Sequence, residues 1–268
     1  MQRTDRCDKM KAVVFLSEHE QHGFLFRNGI EECVMKIAGL QKMTLLDYPG
    51  KVACTVFIQG CNFRCPFCHN SDLLGAGKEA FMTEEELIAF LAKRIGLLDA
   101  VCITGGEPTL GTGLSGLIRR IKELGYSVKL DTNGSRPEVV KQLVADGLLD
   151  YVAMDVKNSA NRYGETIGIV DPDLEKIEES IRFLSSGTVD HEFRTTVVRE
   201  LHSEESVRDM GRWIASLSPA GKVGKFFLQP FVDRDSVLFS GLNPPKEEEM
   251  AKYIECLTPF AEYIAVRG

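Results

Sequence analysis

The 268-residue sequence has no apolar run that approaches the ~18 residues of a membrane-spanning helix. Its first residues contain an apolar stretch of only about five residues, and no small-residue cleavage site follows that stretch. These two absences argue against a membrane protein and against a secreted one. We therefore expect a cytoplasmic protein that has no membrane partner.

An excess of positive charge is also missing. The chain carries 32 Lys and Arg residues against 39 Asp and Glu residues, which gives a formal net charge of −7. Such a balance argues against non-specific binding to nucleic acid or to an anionic membrane, although it leaves room for a local basic patch. No nucleic-acid partner is expected.

From about Lys51 onward there is no break in composition and no Gly/Ser-rich linker. Short apolar runs alternate with longer amphipathic runs about six times, which predicts an α/β fold with parallel strands and right-handed crossovers. Either a doubly wound open sheet or a barrel satisfies this pattern. Residues 1–36 are polar and mixed in character. We expect them to form a poorly ordered N-terminal appendage to one domain over residues 37–268.

Two helix starts can be read from capping residues. Thr83 precedes an amphipathic run, and Glu86 follows it three residues later, which is the spacing of a capping box. Asp171 is the expected N-cap of a later helix that contains the sequence LEKIEESIRFL.

Clustered cysteines are few. Of eight cysteines, only Cys61, Cys65 and Cys68 lie close together, in a C-x3-C-x2-C pattern. In a reducing compartment such a cluster indicates a metal site or a catalytic site rather than a disulfide framework. The three cysteines follow the first strand of the alternating pattern, so they are expected on a loop.

Two metal sites are compatible with three cysteines. Structural zinc usually takes two separated ligand pairs, but the sequence has no second pair, and His69 is directly adjacent to Cys68. A [4Fe–4S] cluster normally takes four thiolates, so three would leave one iron open to an exogenous ligand. The spacing favours the iron–sulfur cluster, and a zinc-stabilised scaffold without catalysis remains the alternative.

The C-x3-C-x2-C pattern, with Phe67 just before the last cysteine, resembles the radical S-adenosylmethionine (radical SAM) superfamily. The resemblance implies a partial (β/α)6 barrel with mostly parallel strands. It implies one [4Fe–4S] cluster on Cys61, Cys65 and Cys68, which are the metal ligands and the catalytic residues. The amino and carboxylate groups of SAM would chelate the fourth iron, and Phe67 would lie near the adenine.

A second motif, TGGEP, follows the next strand. It could be a plain turn between strand and helix, but two adjacent glycines also allow a ligand to approach the backbone closely. In the family that the chain resembles, this element holds the methionine amino group of SAM. The resemblance therefore assigns Gly105, Gly106 and Glu107 to cofactor binding.

A third motif, GTGLSG over residues 111–116, matches the glycine pattern of dinucleotide-binding sites, and Asp131 lies about 20 residues further on. That pattern needs its first glycine directly at the end of a strand. Here the preceding strand ends near Ile103, and TGGEPTLG occupies the intervening positions. A nicotinamide or flavin site is therefore not expected.

Polar side chains recur at the ends of later strands, where α/β sheets and barrels bind ligands. Taken singly, each could be a turn or a solvated edge. The resemblance to glycyl-radical activases implies cofactor contacts for Asp131, Asn133 and Arg194. It marks Asp155 and Lys157 as candidates for contact with a substrate loop. Gln229 occupies a similar place on the following strand.

The stretch LLDYPGKVACTVFIQGCNFRCPFCHN resembles the activating proteins of anaerobic ribonucleotide reductase and of pyruvate formate-lyase. The resemblance implies an anaerobic enzyme that places a glycyl radical on a large glycyl radical enzyme, most simply anaerobic ribonucleotide reductase. It also implies a one-electron reductant such as flavodoxin or ferredoxin. The alternative is a radical SAM enzyme that acts on a small molecule or on nucleic acid.

Overall fold

The computed structural model describes residues 35–75 and 79–267. The predicted N-terminal appendage, residues 1–36, lies outside the described residues except for its last two positions. The boundary between that appendage and the main domain therefore stays a prediction.

One eight-stranded sheet organises the described residues, and its strands lie in the same order as in the sequence. The strands are β1 (Ile37–Thr44), β2 (Ala53–Ile58), β3 (Ala100–Gly105), β4 (Ser127–Thr132), β5 (Tyr151–Asp155), β6 (Asp190–Val197), β7 (Val223–Pro230) and β8 (Ala261–Val266). The helices are α1 (Glu84–Ala92), α2 (Leu114–Glu123), α3 (Pro137–Ala145), α4 (Tyr163–Ile167), α5 (Leu174–Ser185), α6 (Glu204–Leu217) and α7 (Glu247–Leu257).

The strands from β2 to β8 are all parallel, and a helix connects each to the next. Sequential order with right-handed crossovers places the connecting helices on one face of the sheet. The predicted α/β fold with six βα units and mostly parallel strands is confirmed. A doubly wound order is excluded because the strand order never reverses. Strand β1, which pairs antiparallel with β2, was not predicted.

The two faces of the sheet differ in chemistry because side chains alternate along a strand. On β4, Val128 and Leu130 belong to the hydrophobic core, whereas Lys129 and Asp131 lie on the opposite, inner face. Cross-strand pairing extends this inner face to β5, β6 and β7. Beyond β4, the polar side chains on this face include those of Asp155, Glu192, Arg194, Thr196 and Gln229.

The two predicted helix starts have different outcomes. The capping box at α1 is confirmed: Thr83 Oγ1 accepts from the Glu86 N–H at 3.1 Å, and Glu86 Oε2 accepts from the Thr83 N–H at 2.9 Å. The predicted cap of α5 by Asp171 is wrong, because the N-cap is Asp173. Pro172 lies between the two aspartates and packs beside Gly164 of α4, and the helix begins at Leu174.

No helix among residues 35–75 and 79–267 is long and apolar enough to cross a membrane.

A buried charge cluster on the inner face joins the last strand to β6. Glu192 is fully buried and accepts hydrogen bonds from Arg267 Nη1 at 2.6 Å and Nη2 at 3.0 Å. It also accepts from the Tyr151 hydroxyl at 2.9 Å. The Arg267 guanidinium lies over the Phe227 ring, 3.6 Å from its centroid. These contacts hold the end of the chain against the inner face.

We expect Glu192→Ala to lower the free energy of unfolding by about 2 kcal/mol, because the Tyr151 hydroxyl and the partly exposed Arg267 would both lose their charged acceptor. Urea denaturation followed by circular dichroism measures the change. Glu179→Ala is the matched control, because its ion pair with Lys141 is half exposed on both sides and should contribute less than about 1 kcal/mol. Equal losses in the two variants would contradict the prediction.

Candidate active site

The cysteine loop follows β2 and opens into a cavity of about 230 Å³ at the carboxyl ends of the strands. All three clustered cysteines, Cys61, Cys65 and Cys68, line this cavity. Phe67 lines it too, and its side chain is buried. The structure therefore brings the predicted cluster ligands and the predicted adenine neighbour to one place.

Backbone contacts shape the loop. The Cys68 N–H donates to the Cys65 carbonyl at 3.2 Å, which makes a tight turn. The Phe63 N–H donates to the Cys61 sulfur at 3.4 Å. Arg64 turns its guanidinium back, and its Nη1 donates to the carbonyls of Cys61 at 2.6 Å and Phe63 at 2.8 Å. Arg64 was not singled out from the sequence, where an exposed basic residue carries no signal.

The thiols sit in an environment that disfavours a free thiolate. Burial raises the pKa of Cys61, and it raises the pKa of Cys65 to about 12, although Lys157 opposes the shift at both sites. A bound cation reverses this preference because metal ligands must be deprotonated. The loop is therefore suited to thiolates that a metal centre neutralises.

The donor set fits an iron–sulfur cluster. Within the described residues, no three His, Cys, Asp or Glu side chains converge as they would around a single metal ion. The three cysteines instead share the wall of one cavity, and sulfur donors without carboxylates are the ligands of iron–sulfur clusters. Cys61, Cys65 and Cys68 would hold that cluster.

The Gly105–Gly106 pair joins β3 to the cysteine loop. A Cβ on Gly106 would lie 1.9 Å from the Gly60 carbonyl oxygen, and Gly105 has a φ of +119° with its Cβ position 2.4 Å from the Ile58 backbone. The sequence predicted that these glycines admit a ligand to the backbone. The structure shows that both glycines allow close packing against the backbone of Ile58 and Gly60. The Glu107 N–H donates to the Gly60 carbonyl there, at 2.7 Å.

Glu107 lies in the wall behind the cavity, and only 1% of it is exposed. Its Oε1 accepts from the Thr109 N–H and hydroxyl and from the Thr132 hydroxyl. Its Oε2 accepts from the Asn133 N–H at 2.6 Å. Burial raises its pKa, and these hydrogen bonds oppose the rise. Direct binding of SAM by this carboxylate stays a prediction.

Asn133 connects this wall to the cysteine loop. Its side-chain amide donates to Asn62 Oδ1 at 2.9 Å and lies 4.0 Å from the Cys61 sulfur. Asn62 in turn donates to the Ser135 hydroxyl at 2.9 Å. Neither Asn62 nor Ser135 was identified from the sequence, because their partners are more than 70 residues away. Asn133 itself lines the cavity, as predicted for a cofactor contact.

A row of charges lies beside the cavity on the inner face. Arg194 Nη1 donates to Asp131 at 3.2 Å, and Arg194 Nε donates to Asp155 at 3.0 Å. Lys157 donates to the other oxygen of Asp155 at 2.9 Å, and the buried Lys129 donates to Asp131 at 2.5 Å. Four residues that the sequence assigned to two separate roles therefore form one ion-pair network.

This network remains ionised at neutral pH. Burial alone would raise the pKa of Asp155, but Arg194 and Lys157 lower it to about 2. The pKa of Asp131 is also lowered, because Arg194 and Lys129 outweigh the effect of its burial. Burial would lower the pKa of Lys157, but Asp155 raises it above its ordinary value. The cavity is therefore lined by fixed charges of both signs.

Other side chains complete the lining. Gln229 lines the cavity, as its place at the end of a strand suggested, and it is joined by Thr104, Thr196 and His69. The alternation along β6 could have identified Thr196, which lies two residues after Arg194. The His69 Nε2–H donates to the Val232 carbonyl at 2.7 Å, and the His69 ring stacks on Phe231 with 5.6 Å between ring centroids. It therefore has a partner outside the predicted cluster ligands.

The GTGLSG stretch makes no contribution to the described cavity. Strand β3 ends at Gly105, and a one-turn helix, Pro108–Leu110, separates it from Gly111. A Cβ on Gly111 would collide with the Met35 side chain, so that side chain already occupies the space beside this glycine. The first glycine is displaced from the strand end, as the sequence argument required.

We expect Gly106→Ala to displace the cysteine loop, because its Cβ would collide with a backbone carbonyl that cannot rotate away. After anaerobic reconstitution of the cluster, the variant should hold fewer than about two irons per chain, whereas one complete cluster contains about four. Iron analysis and absorbance near 400 nm measure the loss. Gly116→Ala is the control, since its Cβ would meet nothing within 4 Å on helix α2. A Gly106→Ala protein with a full iron content would contradict this role.

Comparison with known proteins identifies the family. A model of the radical SAM superfamily matches residues 55–214, which is more than half of the chain. The chain is 32% identical over 240 residues to a protein of Methanocaldococcus jannaschii assigned as a glycyl-radical enzyme activating enzyme. That match covers 86% of this chain and 95% of the relative.

Two further relatives differ in what their names describe. The chain is 29% identical over 198 residues to 7-carboxy-7-deazaguanine synthase of Aquifex aeolicus, a match that covers 72% of this chain and 76% of that protein. A solved domain of pyruvate-formate lyase-activating enzyme from Bacteroides vulgatus superposes with a TM-score of 0.51 at 21% identity. It covers 63% of this chain and 99% of that domain, and this likeness shows the shared fold.

The predicted family is thus confirmed on both sequence and fold. The cysteine loop that lines the cavity falls inside the matched residues. The chain belongs to the radical SAM superfamily, and it is a radical SAM oxidoreductase that uses a [4Fe–4S] cluster and S-adenosylmethionine.

Proposed function

We propose that the chain is an activase that places a glycyl radical on a partner enzyme. The observation that carries this proposal is the match to a protein assigned as a glycyl-radical enzyme activating enzyme, which extends over 95% of that relative. A match over 86% of this chain reaches far beyond the cysteine loop. The family alone would leave the substrate open.

The chemistry requires a cluster and SAM in one cavity. When bound and reduced, the cluster would supply one electron for the reductive cleavage of SAM, and the hydrogen atom taken from a glycine Cα–H of the partner would end in 5′-deoxyadenosine. Cys61, Cys65 and Cys68 would hold the cluster, and Phe67, which lines the same cavity, is the proposed neighbour of the adenine. Asn133 and the Gly105–Gly106 backbone are the proposed contacts for SAM on the neighbouring strands.

Arg194 is proposed to bind the SAM carboxylate. Two of its donors are engaged by Asp131 and Asp155, and a guanidinium has five N–H donors. Its remaining donors can therefore reach a carboxylate while the ion pairs persist. Its side chain is 12% exposed and lines the cavity, so the geometry gives a ligand access to it.

Asp155 and Lys157 are the proposed contacts for the partner's glycine loop. They line the cavity at the end of β5, and Asp155 is the most exposed member of the ion-pair network at 29%. β1 and β8 are the two ends of the described sheet. An open sheet of six βα units leaves a lateral entrance that a protein loop can use, whereas a closed eight-unit barrel leaves mainly its mouth.

The proposed partner is anaerobic ribonucleotide reductase, and the proposed electron donor is a flavodoxin or a ferredoxin. The support for the partner is the resemblance of the stretch that begins with DYPG. In the structure, Asp47 accepts from the Thr55 hydroxyl at 2.5 Å, and Tyr48 is buried against Tyr151. The DYPG segment therefore packs against β2 and β5. Its support for the partner assignment comes from sequence resemblance alone.

A second candidate function has its own observation. The relative from Aquifex aeolicus is named for the synthesis of a small deazapurine and spans 72% of this chain. A radical SAM enzyme with a small substrate would use the same cysteine loop and the same SAM cavity. The two functions differ in what stimulates release of 5′-deoxyadenosine.

We expect a glycyl radical doublet in electron paramagnetic resonance when the reduced protein, SAM and anaerobic ribonucleotide reductase are mixed. Omission of any one component should abolish the doublet, and so should replacement of the partner's radical glycine by alanine. A doublet obtained only with pyruvate formate-lyase would keep the activase and reassign its partner. If a small metabolite or an RNA stimulates 5′-deoxyadenosine release and no glycyl radical enzyme does, the activase proposal is wrong.

A further inference from the structure

The polar side chains that line the cavity divide into two groups by what they contact. Most of them are bonded to the protein itself, as are the carboxylates of Asp131 and Asp155, which accept from neighbouring cations. Within the described part of the chain, three polar side chains line the cavity and have no hydrogen-bond partner: Thr104, Thr196 and Gln229. This second group is open to a ligand.

Two of these three side chains are neighbours. Thr196 on β6 and Gln229 on β7 are paired directly across the two parallel strands. Each lies two residues after a residue of the inner face, Arg194 on β6 and Phe227 on β7, so both are on that face. Thr104 lies on β3, three strands away from β6. We call Thr196 and Gln229 the β6–β7 pair.

The β6–β7 pair lies near the open side of the sheet. β8 is the last strand of the described sheet, and its pairing with β7 ends at Leu228 and Val266. Gln229 follows Leu228 and is therefore past the paired part of β8. The lateral entrance proposed above leads to this pair.

The chemistry of the pair suits a neutral group that both donates and accepts. A side-chain amide has two N–H donors and a carbonyl acceptor, and a hydroxyl also does both. The Lys and Arg side chains in the described lining are Lys157 and Arg194, and aspartates already neutralise both. The pair itself offers an anion no charge. It matches a peptide group, which has one N–H and one carbonyl oxygen.

We infer that Gln229 and Thr196 bind a peptide group of the partner's glycine loop, beside the glycine that becomes the radical. The inference rests on the proposed activase function and names the part of the substrate that the site recognises. Glycine has no side chain, so a side-chain amide can approach the peptide groups on either side of it. Hydrogen bonds to one planar group fix its position and its orientation, which transfer of a single Cα hydrogen atom requires.

SAM is the other ligand of the cavity, and its proposed contacts lie elsewhere. They are the Gly105–Gly106 backbone on β3, Asn133 after β4, and Arg194 on β6. Gln229 is on β7, which carries none of them. Loss of the β6–β7 pair should therefore weaken the binding of the partner and leave the affinity for SAM at its wild-type value.

The test uses Gln229→Leu and Thr196→Val, which remove the polar atoms and nearly keep the size of each side chain. The reconstituted, unreduced protein is loaded with SAM and titrated with a fluorescent peptide. That peptide copies the glycine loop of the glycyl radical enzyme that gives the doublet in the experiment above. We expect its dissociation constant to rise about tenfold in Gln229→Leu and about fivefold in Thr196→Val, since each variant loses neutral hydrogen bonds.

A second measurement uses the full-length partner. The reduced protein, SAM and the partner are mixed, and the amount of glycyl radical is divided by the amount of 5′-deoxyadenosine released. We expect this coupling ratio to fall about fivefold in both variants, because a glycine that is held loosely is less often within reach of the reacting carbon. Equilibrium dialysis measures the affinity for SAM, which should equal that of the wild type.

Thr195→Val is the matched control. Thr195 is next to Thr196 on β6, but it is buried on the opposite face, and its hydroxyl donates to the Val156 carbonyl at 2.6 Å. The same chemical change at this position should lower the stability of the protein and leave the coupling ratio unchanged. An equal loss of coupling in Thr195→Val and Thr196→Val would show that disturbance of β6 is the cause, and it would overturn the inference.

The failure of this inference and the failure of the activase proposal give different results. If the wild type gives no doublet with any glycyl radical enzyme, the activase proposal is wrong and the inference falls with it. If the wild type gives the doublet, and both variants of the β6–β7 pair keep the wild-type coupling ratio and peptide affinity, the inference alone is rejected. A loss of SAM affinity as large as the loss of coupling would assign the pair to the cofactor and would also reject it.

Discussion

The Glu107 residue holds together the ends of neighbouring strands, and the site depends on it. Its backbone N–H is bonded to Gly60 of the cysteine loop, and its carboxylate is bonded to Thr132 and Asn133 at the end of β4. A buried carboxylate is tolerated only where donors surround it. Glu107 accepts from four such donors, so this one residue connects the end of β4 to the cysteine loop.

This constraint reaches the cysteines by two routes. The first is through Asn133, whose amide contacts Asn62 and approaches the Cys61 sulfur. The second is through Gly106, which packs so closely on Gly60 that no side chain fits between them. A rigid wall of this kind suits a cluster that must be presented to SAM in one orientation, because misplaced reacting groups lose most of the advantage of proximity.

The inner face of the sheet combines two kinds of charged group. Near the cavity, Asp131, Arg194 and Asp155 alternate in sign, so each charge is neutralised by its neighbour while some donors remain for a ligand. Farther along the same face, Arg267 forms a two-point ion pair with Glu192, and both carboxylate oxygens of Glu192 are used in it. The difference is one of access, because the first group lines the cavity and Glu192 is fully buried.

Much of the fold was predictable from local pattern. The alternation of apolar and amphipathic runs predicted six βα units, since hydrophobic period is a property of neighbouring residues. The C-x3-C-x2-C spacing predicted the cluster ligands for the same reason. Strand β1 was missed because Gln41, Lys42 and Met43 are exposed one after another on this edge strand, which breaks the alternation of buried and exposed residues.

The sequence by itself determined the family and the alternation of strands with helices, and it predicted the cluster ligands, because each of these is written in residues close together along the chain. Only the tertiary structure decided what Gly106 and Glu107 contact. Gly106 meets a backbone 46 residues earlier, and Glu107 is bonded to a strand end 25 residues later. Contacts between distant segments depend on how the strands and helices pack, and no local pattern of residue types records that packing.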